Sequence, residues 1–333
     1  MGRKVLVVAL PLMAAVLLRM GEAFPVGKEG PIPAPGVRLG GVAVEGMSPA
    51  ELRALIGHWA REVRLEPKSA RLDSWGSLLP EVYGAELDPE ATFRAVLSAA
   101  PGEEVQPVFR LLPPQVSRED LPPAPIRQGN PFRRAVSLAI NVAWGEEYLE
   151  PLLDLLSRRR VRATFFLSGR WVDRFPELAR DIADAGHEVA SHGYEDESPG
   201  LLGPREALQD LRRSREAIRR ATGRPPRLFS PHKGEVSSAL LWAARGLGME
   251  TVLWTADSRD WMRPDPAEII SRLTGEARPG SILLFHPTEE TLSSLEAVIS
   301  GVERKGLRLI PVGELISPYP NPGAEPPPTR PGR

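Results

Sequence analysis

The chain has 333 residues, of which 42% are hydrophobic and 26% charged, and its formal net charge at pH 7 is −1. This composition is typical of a soluble globular protein with room for two domains. A near-neutral chain without a basic stripe disfavours nucleic acid as a partner, and the absence of cysteine excludes disulfides and thiolate metal sites.

The N-terminus predicts export from the cytoplasm. Arg3 and Lys4 precede an apolar run from Val5 to Leu18, and small residues at positions 21 and 23 stand before a cleavage point ahead of Phe24. This pattern is typical of a secretory signal peptide over residues 1–23. The run is short for a membrane span, which needs roughly 20 residues, but an uncleaved membrane anchor remains the alternative.

A spacer rich in proline and glycine over residues 24–35 leads into a small α+β module, which we place at 36–116. Ser48 and Pro49 predict the start of a helix, with Ser48 as the N-cap. The predicted buried face of this helix has helical spacing and consists of Leu52, Leu55, Ile56 and Trp59. Asp88 predicts the cap of a second helix through Leu97, and the predicted strands are Val37–Val44, Leu79–Leu87 and Val105–Leu111.

Two glycine-containing runs in this module carry a resemblance. Gly40–Ser48 and Tyr83–Asp88 resemble the peptidoglycan-binding module found beside VanW-type domains in wall proteins. The resemblance implies contact with peptidoglycan. A generic α+β spacer domain explains the same residues and remains the alternative.

A stiff proline-rich linker is predicted at 117–132, and a disordered proline-rich tail at 317–333. Between them, strands and helices alternate, which predicts a barrel-like parallel sheet with its site at the carboxyl ends of the strands. The predicted strands are Val136–Val142, Ala163–Leu167, His187–Ser191, Arg227–Ser230, Thr251–Thr255, Ser281–Phe285 and Leu307–Pro311.

Polar or turn-forming stretches follow several of these strands, and four of the five histidines lie within them. Their order and spacing, together with Arg162–Leu167 and Ser168–Trp171, resemble the polysaccharide deacetylase family (NodB homology, carbohydrate esterase family 4) over residues 133–316. The resemblance implies a distorted (β/α) barrel of NodB type. It also implies removal of acetyl groups from N-acetylated sugars, with a divalent metal on one aspartate and two histidines, an aspartate as base and a histidine as acid.

The residues at those positions depart from the family pattern. Ala143 stands where the family has its base, and Trp144 stands where it has the aspartate that binds the metal. His192 keeps the first histidine ligand, and Asp196 replaces the second, where a carboxylate still suits a hard divalent ion. Ser230 replaces the arginine that pairs with the base in the family. Without the base, that arginine would be a buried charge without a partner.

Other parts of the implied site are kept. By resemblance, His286 is the acid, and Asp260 is predicted beside it as part of the catalytic group. Trp144, Trp261 and Lys233 are predicted to contact substrate, because large amphipathic rings suit sugar faces and a lysine suits a wall carboxylate or phosphate. Core packing remains the alternative for Trp261, and a solvated surface position for Lys233.

Three further residues have two interpretations. Trp171 either adds aromatic surface to the rim or packs against the barrel, and packing is the stronger interpretation. Glu146 is either a replacement base or a carboxylate favoured at a helix start, and we favour the second. His187 follows a glycine at a strand start, so we interpret it as a structural residue that satisfies backbone groups.

We therefore predict a secreted or membrane-anchored cell-wall protein directed at N-acetylated glycan, acting as a glycan-binding or regulatory pseudoenzyme. Losing a base and a ligand together removes most electrostatic stabilisation of the transition state. The alternative is a divergent N-deacetylase that hydrolyses a non-peptide C–N bond, using His192, Asp196 and Glu146 around a weakly bound zinc or cobalt ion. The expected cofactor is otherwise none, and membrane contact is expected only through the N-terminal segment. The first motif, Asn141–Gly145, resembles that of a sporulation-associated branch of the family.

Overall fold

A computed structural model describes residues 30–129, 131–195 and 199–319. The predicted signal peptide or anchor and most of the spacer and tail lie outside the described residues. No helix within the described ranges is both long and apolar enough to cross a membrane. The described residues divide into two compact units, one containing residues 30–69, Glu81–Gln115 and residues 318–319, the other Ala70–Pro80 and the described residues of Val116–Ser317.

The secondary structure of the described residues is as follows. The strands are β1 Arg38–Leu39, β2 Val42–Ala43, β3 Arg64–Leu65, β4 Arg71–Leu72, β5 Leu78–Leu79, β6 Gly84–Leu87, β7 Glu104–Val105, β8 Phe109–Leu112, β9 Ala135–Val142, β10 Thr164–Leu167, β11 Glu188–Ser191, β12 Leu228–Phe229, β13 Glu250–Thr251, β14 Ala256–Asp257, β15 Ile282–Phe285 and β16 Arg308–Leu309. The α-helices are α1 Pro49–Glu62, α2 Pro89–Leu97, α3 Leu149–Arg158, α4 Gly169–Arg174, α5 Pro176–Asp184, α6 Pro204–Thr222, α7 Ser238–Gly246, α8 Pro266–Glu276, α9 Glu289–Arg304 and α10 Val312–Leu315. Short 3-10 turns cover Arg118–Asp120, Glu146–Tyr148, Pro199–Leu201, His232–Gly234 and Asp260–Met262.

Helix α1 begins as the sequence predicts. The Ser48 hydroxyl accepts a hydrogen bond from the backbone of Glu51, whose carboxylate in turn accepts from the backbone of Ser48, so both members of a capping box are present. The four predicted core residues of this helix are all buried: Leu52, Leu55, Ile56 and Trp59. Helix α2 is capped by Asp88, whose side chain accepts from the backbone of Ala91. Both predicted caps are confirmed.

The predicted single strand over 37–44 is wrong, because the chain turns back within it. Gly40 and Gly41 have φ values of +54° and +86°, and these left-handed conformations form a tight turn that joins β1 to the antiparallel β2. Strand β1 also pairs in parallel with β7, and β6 lies between β3 and β8 in a second antiparallel sheet. Helix α1 and these strands enclose the core of the first unit.

The second unit is built on a curved parallel sheet with the strand order β13-β12-β11-β10-β9-β15-β14, and β16 pairs with the start of β9. Helices cover its outer face. The predicted distorted (β/α) barrel of NodB type is therefore confirmed. Strand β9 lies at the centre, and all eight of its residues are buried, as expected for a strand of a parallel sheet with both faces covered.

The predicted strand Thr251–Thr255 is wrong in its extent. The chain leaves β13 at one end of the sheet and enters β14 at the other, so the intervening residues cross the opening instead of forming one strand. Ile126, predicted in the linker, is fully buried there and pairs with Val252. Part of the proline-rich segment thus fills the gap between the two ends of the barrel.

Candidate functional site

A cleft of about 490 Å³ opens at the carboxyl ends of the parallel strands in the second unit. Parallel strands bring their carboxyl ends to one edge, so stretches far apart in sequence meet there. The cleft is lined by Asn141, Ala143, Trp144, His192, His232, Lys233, Trp254, Asp257, Trp261, Leu284 and His286. The structure thereby brings together most of the site residues that were predicted from the sequence.

His192 is held by hydrogen bonds on both ring nitrogens. Its Nδ1 lies 2.6 Å from the carbonyl oxygen of Ser230. A carbonyl only accepts, so Nδ1 carries the proton and Nε2 of the neutral ring is an acceptor. Nε2 lies 3.0 Å from Nδ1 of His232, which must therefore donate. The lone pair with which His192 would bind a metal is already engaged.

The surroundings keep this histidine neutral. Burial of the ring, with the nearby charge of His232, lowers the pKa of His192 to about 3, against the hydrogen bond to the Ser230 carbonyl, which raises it. His192 is 4% exposed. At neutral pH the His192 ring is therefore uncharged, and it accepts a directional hydrogen bond from His232.

A second histidine is held by a buried carboxylate. Asp260 is fully buried, and its Oδ1 accepts from Nδ1 of His286 at 2.7 Å. Its Oδ2 accepts from the backbone of His286 at 2.6 Å and from the hydroxyl of Thr291 at 2.5 Å. Burial by itself raises the pKa of a carboxyl group, but these hydrogen bonds and the charge of His286 hold the pKa of Asp260 below its ordinary value. The arrangement orients His286 with Nε2 directed away from the carboxylate.

Trp144 covers the face of His286. The two rings are nearly parallel, at 8°, with centroids 5.8 Å apart, and Trp144 remains 40% exposed. The next residue, Gly145, has φ +82° and lies so close to the loop after β15 that a Cβ atom would stand 2.3 Å from the carbonyl oxygen of Pro287. Glycine is therefore required where the loops after β9 and β15 meet.

The residues present do not fit the divalent ion that the family resemblance implies. One ligand position holds Trp144, stacked on His286, and His192 has its Nε2 hydrogen-bonded to His232. Within the described ranges, no three histidine, aspartate or glutamate side chains are grouped to hold a metal. Asp196, the other predicted ligand, lies outside the described residues. A catalytic zinc site uses three protein ligands and an open position.

The predicted sugar contacts separate into two groups. Trp261 lines the cleft and is 56% exposed, so the core-packing alternative for it is wrong. Lys233 also lines the cleft, with an exposed side chain and a φ of +54°. Trp171 is 4% exposed within the core beneath the sheet, which confirms that it packs against the barrel.

Two other interpretations can be compared with the structure. Nδ1 of His187 accepts from the backbone of Ala163 at 3.1 Å, and burial, with the charge of Arg162, lowers its pKa to about 4; its structural role is confirmed. Glu146 begins a 3-10 turn and does not line the cleft, whereas Glu147 lines a neighbouring hollow with Trp144.

Sequence reasoning assigned no role to three contributors to the cleft. Trp254 lies within the crossing segment that was predicted as a single strand, and Asp257 follows that segment in β14, so their approach to the cleft depended on a topology that local pattern did not show. The third is His232, which stands where the resembled family has a proline. Its partner is 40 positions away, and the only sequence signal was a second histidine at a strand end.

Comparisons with known proteins agree with this geometry. The sequence pattern described as "Polysaccharide deacetylase" matches residues 128–252. The YlxY protein of Bacillus subtilis strain 168 is 35% identical over 257 residues, which cover 77% of this chain and 81% of that protein. A peptidoglycan-N-acetylglucosamine deacetylase of Bacillus cereus is 28% identical over 193 residues, 56% of this chain and 70% of that protein.

Among solved structures, a CE4 family pseudoenzyme from Bacillus anthracis is 33% identical, with a TM-score of 0.70 over 80% of this chain and 95% of that one. A mutant of the same pseudoenzyme, described as having restored enzymatic activity, also aligns with a TM-score of 0.70 at 32% identity, over 80% of this chain and 98% of that one. These matches extend beyond the predicted deacetylase domain and confirm the family inferred from the motifs. The chain belongs to the polysaccharide deacetylase family.

Proposed function

We propose that this protein binds N-acetylated cell-wall glycan in the cleft without deacetylating it, as a binding or regulatory pseudoenzyme. One observation carries the proposal: the Nε2 atom of His192 is engaged by His232, while Ala143 and Trp144 occupy the two acid positions. The catalytic centre is thus closed by a hydrogen bond in addition to lacking its acids.

The same cleft keeps a surface suited to sugar. Trp144 and Trp261 are exposed, and Trp254 lines the cleft with them. Aromatic rings pack against the apolar faces of sugars and leave the hydroxyl edges wet. Two relatives support the proposal. One is named a peptidoglycan-N-acetylglucosamine deacetylase, which supports the class of glycan. The other is described as a pseudoenzyme, which supports binding without catalysis. A signal peptide or anchor over 1–23 and a peptidoglycan-binding module over 36–116 would place the cleft at the wall, and we include both in the proposal.

One observation favours the alternative function, a divergent metal-dependent N-deacetylase. His286 retains its hydrogen bond to the buried Asp260, and an oriented histidine of this kind can protonate a leaving amine. Metal content of the purified protein separates the two functions. Stoichiometric zinc or cobalt that is lost on His192→Ala, together with release of acetate from N-acetylglucosamine oligomers, would establish the hydrolase and refute the pseudoenzyme.

The binding function is tested with purified peptidoglycan. Trp144→Ala should weaken retention by about five-fold, since an aromatic contact is worth about 1 kcal/mol, and should leave thermal stability nearly unchanged because the ring is 40% exposed. Trp242→Ala is the matched control, because Trp242 is 60% exposed and lines a different hollow between α6 and α7. Equal loss in both variants, or loss only through unfolding, would contradict the proposal.

A further inference from the structure

Asn141 lies at the floor of the cleft because of its position in the alternating pattern of strand β9. Side chains alternate between the two faces of a strand. Leu138, Ile140 and Val142 of β9 belong to the core beneath the helices, whereas Ala139 belongs to the core inside the barrel. Asn141 therefore points to the inside, one step beyond Ala139, where the barrel interior opens into the cleft.

The side-chain oxygen of this asparagine is buried without a partner. Asn141 is 4% exposed, and no described residue donates a hydrogen bond to its Oδ1. Buried polar atoms are nearly always paired, and an unpaired acceptor costs about 1–3 kcal/mol. A buried, unpaired acceptor on a residue that lines a cleft points to a donor that arrives with the ligand.

The histidine protons of the cleft are already committed. His232 donates from Nδ1 to His192, and His286 donates from Nδ1 to Asp260. His192 donates to the carbonyl of Ser230. The protons in these three hydrogen bonds are therefore not available to Asn141. Two other residues that line the cleft, Ala143 and Leu284, have no side-chain donor.

We propose that Asn141 reads the acetylation state of the glycan, accepting a hydrogen bond at Oδ1 from the acetamido N–H of an N-acetylated sugar. The inference rests on the proposed binding function and adds the group that the cleft recognises. A carboxamide carries no charge to offset a cation, so burying the ammonium of a deacetylated sugar against Asn141 costs more than burying a neutral acetamido group there. The protein would then detect the acetyl group that its relatives remove.

A hydroxyl is the other neutral donor that a hexose presents at the same ring position, so the experiment must separate it from an amide. Binding of the full chain is measured by calorimetry to three five-sugar oligomers, carrying acetamido, ammonium or hydroxyl groups at C2: N-acetylglucosamine, glucosamine and glucose. We expect the acetylated oligomer to bind at least ten-fold more tightly than either of the others. Tightest binding of the glucose oligomer would assign the bond to a hydroxyl and overturn the proposal.

Two variants test the residue itself. Asn141→Leu keeps the branched shape and the number of side-chain heavy atoms and removes the unpaired acceptor, so it should fold with a melting temperature close to that of the wild type and lose about ten-fold in preference for the acetylated oligomer. Asn141→Asp supplies a charge and should shift the preference toward the glucosamine oligomer. If Asn141→Leu keeps the wild-type preference, or loses all three oligomers equally, Asn141 does not read the acetyl group. Absence of binding to all three by the wild-type chain would instead refute the binding function, and the inference with it.

Discussion

Restored metal binding should be tighter when residue 232 is changed in addition to the four positions where the chain departs from the family. The fourfold variant returns the acids, the second histidine and the arginine: Ala143→Asp, Trp144→Asp, Asp196→His and Ser230→Arg. The fivefold variant adds His232→Pro. The fourfold variant supplies three potential ligands, but one of them, His192, still has its Nε2 bonded to His232 at 3.0 Å.

The magnitude follows from that bond. A metal must displace the proton that His232 donates, and a buried hydrogen bond contributes about 1 kcal/mol net. Each 1.4 kcal/mol is a factor of ten in affinity, so about 1 kcal/mol corresponds to about five-fold. The fivefold variant should therefore bind Co²⁺ or Zn²⁺ about five-fold more tightly than the fourfold variant in calorimetric titration. Single substitutions should bind neither ion measurably, because groups that act as a unit are strongly non-additive.

The scaffold should tolerate these changes. Trp144 is 40% exposed, so its replacement opens little enclosed volume and costs well below the 3–5 kcal/mol typical of a core tryptophan. Melting temperatures of both variants check this. If the fourfold variant binds metal more tightly with His232 than with proline, His232 acts as a ligand, and the reasoning from a blocked nitrogen is refuted. A folded fivefold variant that binds no metal would show that the backbone of the site has diverged.

Three further predictions concern stability. Gly145→Ala should lower the free energy of unfolding by about 2 kcal/mol or more, because alanine at φ +82° is strained and its Cβ would meet a backbone oxygen; an unchanged urea midpoint would contradict it. Asp260→Ala should cost about 3–5 kcal/mol, because it leaves the hydrogen-bond donors of His286 and Thr291 without their acceptor; a loss under 1 kcal/mol by urea unfolding would be too small for this network. The pKa values of His187 and His192, about 4 and about 3, lie below the ordinary 6.5. The unfolded chain therefore binds more protons than the folded chain below pH 6.5. The free energy of unfolding should decrease as the pH is lowered through this range, by about 1.4 kcal/mol per pH unit for each group. Urea unfolding at pH 7.5, 6 and 5 measures the slope, and His187→Gln should remove about half of it.

The predictions from sequence succeeded where the determining interactions are local. Ser48 and Glu51 are three residues apart, so the capping box and the helix that follows were readable from the chain. The convergence of Trp144, His192 and His286 followed from their common place after parallel strands. Family resemblance supplied the roles that spacing alone could not.

The features that sequence did not reveal depend on contacts between distant segments. Ile126 fills the barrel opening through pairing with Val252, and proline content alone indicated only a linker. The residues Ala70–Pro80, which lie inside the sequence of the first module, belong to the second unit. The bond between His192 and His232 required the tautomer of one ring to be known before the role of the other could be assigned.

The contact between Gly145 and Pro287 has a consequence for the thermodynamics of recognition. Because backbone atoms meet there, the separation of the loops after β9 and β15 is set before any ligand arrives. Ordering loops and side chains is among the main entropic costs of association, and a site built in advance avoids much of it. Glycan binding should therefore proceed with little loss of conformational entropy, and widening this contact should weaken affinity through entropy while the enthalpy of the sugar contacts is retained.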